Sequence, residues 1–179
     1  DLDAQEFVKA VHALDSAEID VHVNSPGGFV YDAVAMYEAL REHSATINIE
    51  IDGLAASAAS FLAMSGDNIR IAKSGRMMIH DAQVLAWGSP ADLREAADLG
   101  DEISNDIAEI YSARAGGTQS EWRTRMTDET WYSSQQALDA KLVHEVKAAK
   151  KSSDSSSNTI DNRTRLIRAR AHATLRRAV

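Results

Sequence analysis

The sequence of 179 residues has no cysteine and only two prolines. Without cysteine, neither a disulfide framework nor a thiolate metal site can form. No apolar run approaches the roughly 18 residues that a membrane-spanning helix needs. The first ten residues, DLDAQEFVKA, are neither basic nor strongly apolar, so they do not resemble a signal peptide. We therefore expect a soluble, cytoplasmic protein that does not enter a membrane, with one substantial core.

The charge is distributed unevenly along the chain. The net charge is -8, yet residues 147–179 contain nine lysines or arginines and only two acidic residues. We expect an acidic body at 1–146, a polar, serine-rich linker at 147–161 and a basic, weakly helical tail at 162–179. The tail lacks the aromatic residues that stack on bases, which argues against nucleic-acid binding.

Strand and helix patterns alternate along the body. Alternating apolar residues predict strands at 19–25, 46–53, 68–72, 76–80 and 143–146. Helical spacing predicts helices at 4–14, 31–43, 56–66, 89–116, 118–126 and 133–142. Because helices separate most of the strands, the sequence predicts an α/β domain with parallel βαβ units. The pattern opens on a helix, so we also expect a further strand of the domain upstream of residue 1.

Three short segments with chemically useful side chains each follow a predicted strand: NSPGG at 24–28, GLAAS at 53–57 and MMIHD at 77–81. In open α/β domains, ligands bind beyond the carboxyl ends of the strands, so the three segments are expected to meet there. A serine hydroxyl is protonated at neutral pH and needs a base within hydrogen-bond reach. The sequence therefore predicts Ser57 as a nucleophile and His80 as its general base.

Backbone N–H groups near Ser57 can stabilise the negative charge that develops on an attacked carbonyl. Gly27 and Gly28 present N–H groups with no side chain in the way. The N–H of Ala58 follows the nucleophile at the start of a predicted helix, where free N–H groups favour an anion. The other histidines show no metal-ligand spacing, and we predict neither a metal nor a cofactor.

The three segments, followed by WYSSQQAL at 131–138, resemble the Clp-type serine peptidases. GLAASAAS, MMIHDA and ETW together are similar to the Clp-related head maturation proteases of tailed phages and prophages. The resemblance covers about residues 1–146. It implies a crotonase-like α/β fold, a Ser–His–Asp peptidase and assembly into a homo-oligomeric ring. By motif position it implies Ser57 as nucleophile, His80 as base, and Gly28 with Ala58 as oxyanion donors.

The third member of the triad is where the sequence departs from the family pattern. The family has an aspartate a few residues before the aromatic residue that matches Trp131, and alignment back from the following helix places Arg125 or Met126 there. We take Asp128 as the third member, with Glu129 as the alternate and a backbone carbonyl as a further candidate. Asp81 follows His80 directly and in a strand would point to the opposite face.

Four functions are compatible with these residues. The leading hypothesis is a serine endopeptidase that processes capsid or scaffold protein inside a phage prohead in a bacterial host. The second is a Clp-like proteolytic subunit fed by a separate ATPase unfoldase, because the chain has no nucleotide motif. The third is a catalytically weak, ring-forming scaffold subunit. The fourth is an acyl-CoA enzyme of the crotonase type, a fold that also uses paired backbone amides for an oxyanion.

Overall fold

The computed structural model describes residues 3–148 and the backbone of a short strand at 167–169. Within these residues the strands are β1 Glu18–Ser25, β2 Thr46–Ala56, β3 Asn68–Ala72, β4 Arg76–Ile79, β5 Thr130–Ser133, β6 Glu145–Lys147 and β7 Ile167–Ala169. The α-helices are α1 Ala4–His12, α2 Val30–Glu42, α3 Ala58–Leu62, α4 Pro90–Ala115, α5 Gln119–Thr127 and α6 Ser134–Asp139. A 3-10 turn, Ala63–Ser65, continues α3.

Strand β2 is the centre of the sheet. Along one side it pairs in parallel with β1. Along the other side, its residues 48–51 pair with β3 and its residues 54–56 pair with β4, again in parallel. β6 extends the sheet beyond β3 in parallel, and β5 extends it beyond β4 in the antiparallel direction. The predicted α/β organisation with parallel strand pairs is confirmed, and β5 makes the sheet mixed; the crotonase-like assignment stays a prediction.

Two elements near the end of β2 differ from the sequence pattern. β2 continues to Ala56, beyond the predicted stop at Gly53. A Cβ at Gly53 would lie 2.8 Å from Asn24 Oδ1, and that same oxygen accepts a hydrogen bond from the N–H of Leu54 at 3.1 Å. A side chain at position 53 would therefore displace the Asn24 side chain from this hydrogen bond, and Gly53 lies within the strand and does not end it. Helix α3 correspondingly begins at Ala58, two residues later than predicted.

The core lies between the sheet and the helices. Ile47, Ile49 and Ile51 alternate along β2, and each is at most 2% exposed. The long helix α4 begins where the sequence indicated, with Ser89 as N-cap and Asp92 completing a capping box. No described helix combines the length and the apolar character that crossing a bilayer requires.

Only three residues of the predicted basic tail belong to the described structure. They form β7, which pairs in parallel with residues 21–23 of β1. These three residues are in a strand, whereas the pattern of 162–179 favoured a helix. The rest of that tail and most of the predicted linker, from residue 149 to residue 161, lie outside the described residues.

Candidate active site

The three predicted segments lie at the carboxyl ends of adjacent strands. β1 ends at Ser25, before the two glycines of NSPGG. β2 ends at Ala56, directly before Ser57. β4 ends at Ile79, directly before His80. Since β1, β2 and β4 are neighbours and run in parallel, their carboxyl ends lie along one edge of the sheet, as the sequence predicted.

Ser57 and His80 are hydrogen-bonded. Nε2 of His80 lies 2.7 Å from Oγ of Ser57, although the two residues are 23 positions apart in the chain. The distance is that of a good hydrogen bond, and it is the distance at which a base can take a proton from a hydroxyl. For Nε2 to accept that proton, the neutral imidazole must carry its own hydrogen on Nδ1.

The backbone of Ser57 has an unusual conformation, with φ 52° and ψ -128°. A non-glycine residue in this region costs about 1–3 kcal/mol and persists only where its surroundings hold it. Here the N–H of Ser57 donates to the carbonyl of Met78 at 3.0 Å, and the carbonyl of Ser57 accepts from the N–H of Ser60 at 2.9 Å. The chain thus turns sharply between β2 and α3 and presents the hydroxyl of Ser57 at the turn.

The NSPGG loop packs directly against the nucleophile. A Cβ placed on Gly27 would lie 2.6 Å from Cβ of Ser57 and 3.0 Å from the backbone nitrogen of Ala58, and Gly27 has φ 105°. A Cβ on Gly28 would meet no other described atom within 4 Å. This close approach brings the loop that contains Gly28 next to Ala58. Their role as paired oxyanion donors stays a prediction.

We expect Gly27→Ala to lower the free energy of unfolding by about 3 kcal/mol, because alanine is strained at positive φ and its methyl group would overlap Ser57. The matched control is Gly28→Ala, which adds the same methyl group to open space and should change stability by less than about 1 kcal/mol. Urea unfolding of both variants measures the difference. Equal stabilities for the two variants would contradict the close approach of this loop.

Asp81 does not orient His80. Its Oδ1 accepts from Nη1 of Arg123 and its Oδ2 accepts from Oγ1 of Thr127, each at 2.9 Å. These partners belong to α5, and neither carboxylate oxygen bonds to the imidazole. The strand argument made from the sequence does not apply to Asp81, because β4 ends at Ile79. Within residues 3–148, the ring of His80 makes its only hydrogen bond with the nucleophile.

Neither predicted third member forms a hydrogen bond with His80 within the described part of the chain. Asp128 is exposed at the C-cap of α5. Glu129 has a positive φ of 48°, and its Oε1 lies 3.3 Å from Nε1 of Trp131. Glu129 comes one residue beyond the last β4–β5 pair, on the side where the antiparallel register continues to His80. The third member remains a prediction, and the strand register favours Glu129.

A buried pair of hydroxyl groups behind the nucleophile was not predicted. Oγ of Ser60 lies 2.5 Å from the carbonyl oxygen of Ser57 and 2.6 Å from Oη of Tyr111. Ser60 and Tyr111 are at most 1% exposed. Tyr111 is 51 positions away from Ser60 and is one of the buried residues of α4. No signal in a single sequence connects it to Ser60.

No cluster of three or more histidine or acidic side chains suited to a metal ion occurs among the residues that the structure describes. The described site contains one hydroxyl and one imidazole in hydrogen-bond contact, next to the glycines of the NSPGG loop. Such a set can transfer an acyl group without a metal.

Comparison with known proteins places these features in a family context. The Clp protease family profile matches residues 1–150. A protein named "ATP-dependent Clp protease proteolytic subunit" from Pleurastrum terricola is 35% identical over 104 residues, which are 57% of this chain and 53% of the relative. Proteins of the same name from Chlorella vulgaris and Deinococcus radiodurans are each 30% identical, over 128 and 149 residues. These matches cover 70% and 80% of this chain and 64% and 73% of the relatives, so the chain spans about half to three quarters of their length.

Proposed function

Since the chain belongs to the Clp protease family, we propose that it is a serine endopeptidase with Ser57 as nucleophile and His80 as general base. The observation that carries this proposal is the 2.7 Å separation of Ser57 Oγ and His80 Nε2. The strained backbone of Ser57 supports it, because such conformations cluster at active sites.

The proposed reaction proceeds in two halves. Oγ of Ser57 attacks the carbonyl carbon of the scissile peptide bond while His80 Nε2 takes its proton, and the resulting oxyanion accepts hydrogen bonds from the N–H groups of Gly28 and Ala58. Collapse of this intermediate breaks the C–N bond, and His80 gives its proton to the leaving amine. A water molecule, deprotonated by His80, then hydrolyses the acyl-enzyme and restores Ser57.

An acidic group that holds the Nδ1–H of His80 would keep the required tautomer. We assign this part to Glu129 ahead of Asp128, because the β4–β5 register carries Glu129 toward His80. For this bond the Glu129 carboxylate would have to leave Nε1 of Trp131, which donates to its Oε1. The hydrogen bond to Trp131 is long, at 3.3 Å, and therefore weak.

For the biological setting we favour processing of capsid or scaffold protein by a homo-oligomeric ring inside a phage prohead, in the cytoplasm of a bacterial host. The support is the similarity of GLAASAAS, MMIHDA and ETW to the phage head maturation proteases. The second candidate is a Clp-like subunit fed by a separate ATPase, and the names of the relatives, which describe subunits of an ATP-dependent protease, support it. The hydrogen-bonded serine–histidine pair favours peptidases over a silent scaffold subunit or an acyl-CoA enzyme.

Labelling of the full chain with an alkyl fluorophosphonate tests the proposed chemistry. The reagent reacts with an activated serine, so peptide mapping should find a single adduct on Ser57 and none on Ser60 or Ser65. A folded protein that takes up no label would contradict a serine-peptidase function.

Two substrates distinguish the two settings. Co-expression with the capsid and scaffold proteins of the same prophage should yield shortened capsid or scaffold chains without any ATPase if the phage setting is right. If instead the chain cleaves folded proteins only when an ATP-driven unfoldase is added, the Clp-like setting is right and the capsid proposal is wrong.

A further inference from the structure

We propose that Tyr111 and Ser60 form a positioning pair that fixes the peptide group between Ser57 and Ala58. By holding the carbonyl of Ser57 inward, the pair directs the N–H of Ala58 toward the oxyanion of the intermediate. The proposal rests on the peptidase function and adds a residue of α4 to the machinery.

The direction of the hydrogen bonds follows from the number of protons. Ser60 has one hydroxyl proton. The carbonyl oxygen of Ser57, 2.5 Å from Oγ of Ser60, can only accept a hydrogen bond, so Ser60 donates its proton to that oxygen. Tyr111, at 2.6 Å, must then donate to Oγ of Ser60. The same carbonyl also accepts the backbone N–H of Ser60 at 2.9 Å. Both acceptor positions of the Ser57 carbonyl are thus used by Ser60.

A planar trans peptide group points its C=O and its N–H in opposite directions. A Ser57 carbonyl that is directed toward buried Tyr111 therefore turns the N–H of Ala58 to the opposite side. The NSPGG loop contacts this nitrogen, since a Cβ on Gly27 would be 3.0 Å from it. The strained torsion angles of Ser57 do not hold this orientation by themselves, so an external support is needed.

Tyr111 is itself held rigidly. Its ring centroid lies 5.5 Å from that of Trp122, whose Nε1 donates to the carbonyl of Gly116 at 2.8 Å. Trp122 is also contacted by Arg125, whose guanidinium carbon lies over the ring, 4.5 Å from its centre. Burial raises the pKa of the Tyr111 phenol above its usual value, so the hydroxyl keeps the proton that it donates. Helices α4 and α5 thus support the nucleophile through one side chain.

The first test is Tyr111→Phe, which removes one oxygen and keeps the ring. We expect kcat to fall roughly tenfold with KM unchanged, because the oxyanion exists only after the substrate has bound and begun to react. The matched control is Tyr37→Phe, a partly buried tyrosine of α2 on the groove toward α4; it should keep the parent's kcat. The final extent of fluorophosphonate labelling gives the fraction of molecules with a reactive Ser57. Each kcat is calculated per labelled molecule, so that misfolded protein does not lower the value.

A double-mutant cycle separates positioning from general loss of packing. Because Tyr111 acts through Ser60, Tyr111→Phe should lower kcat in the parent but have no further effect in a Ser60→Ala background. If the two substitutions caused independent packing defects, their factors of loss in kcat would instead multiply in the double variant. If Ser60→Ala does not fold, the split between kcat and KM in Tyr111→Phe alone decides the matter.

The outcomes are distinguishable. A parent chain that hydrolyses peptides, together with Tyr111→Phe at the parent's kcat, overturns the positioning pair and leaves the peptidase function in place. A rise in KM that accounts for the whole loss also overturns it. A folded parent that neither takes up label nor hydrolyses peptides overturns both.

Discussion

Ser57→Ala is expected to reduce peptide hydrolysis by at least about 10³-fold, since the variant has no nucleophile and retains only the oxyanion donors and substrate binding. Stability should change little, because alanine at φ 52° is about as strained as serine and the site is already lined with alanines. Steady-state hydrolysis of a fluorogenic peptide measures the rate, and thermal unfolding checks the fold.

Ser65→Ala is the matched control. Ser65 is fully buried close to α3, and its hydroxyl has no hydrogen-bond partner among the described residues. The substitution therefore removes a buried hydroxyl without affecting the serine–histidine pair, and it should leave kcat unchanged. If Ser57→Ala cleaves the peptide as fast as Ser65→Ala does, Ser57 is not the nucleophile.

His80→Gln is expected to cause the second large loss, roughly 10³-fold or more in kcat. Glutamine can still form a hydrogen bond with Ser57 but cannot take its proton. The residual rate should rise with pH, because solvent hydroxide then replaces the missing base. The control is His12→Gln, which changes an exposed histidine of α1 and should have the parent's rate.

Non-additivity gives a second check on His80. The double variant Ser57→Ala with His80→Gln should be no slower than Ser57→Ala alone, since the base has no function without the nucleophile. A double variant that loses the product of the two single effects would show that His80 acts elsewhere.

Much of the candidate site could be predicted because its residues follow strands. The alternating patterns of β1 and β2 are strong, and the short apolar segment of β4 comes directly before His80. Because parallel strands bring their carboxyl ends together, Ser57 and His80 could be paired before any distance was known. Strand β5 could not be predicted in the same way. Its four residues, TWYS, lie between two helical patterns and are too few to display an alternation.

The parts that the sequence did not reveal depend on backbone torsion angles and distant packing. The third triad member depends on the turn between α5 and β5, where Glu129 adopts a positive φ that its residue type does not indicate. The Ser60–Tyr111 pair depends on how α4 packs against α3. A hydroxyl within an apolar stripe looks like any other core residue until its partner is located.

The torsion angles of Ser57 also imply a trade-off between stability and function. They are close to those of the first central residue of a type II′ turn, a position where glycine dominates. Glycine would relieve about 1–3 kcal/mol of backbone strain at this position. Part of this gain is offset, because glycine also gives the unfolded chain more conformational entropy. Serine at position 57 is therefore less favourable for folding than glycine, but glycine has no hydroxyl group and cannot act as the nucleophile. Selection for thermostability alone would replace the nucleophile, so a stabilised variant library would tend to lose activity at Ser57 unless hydrolysis is selected together with stability.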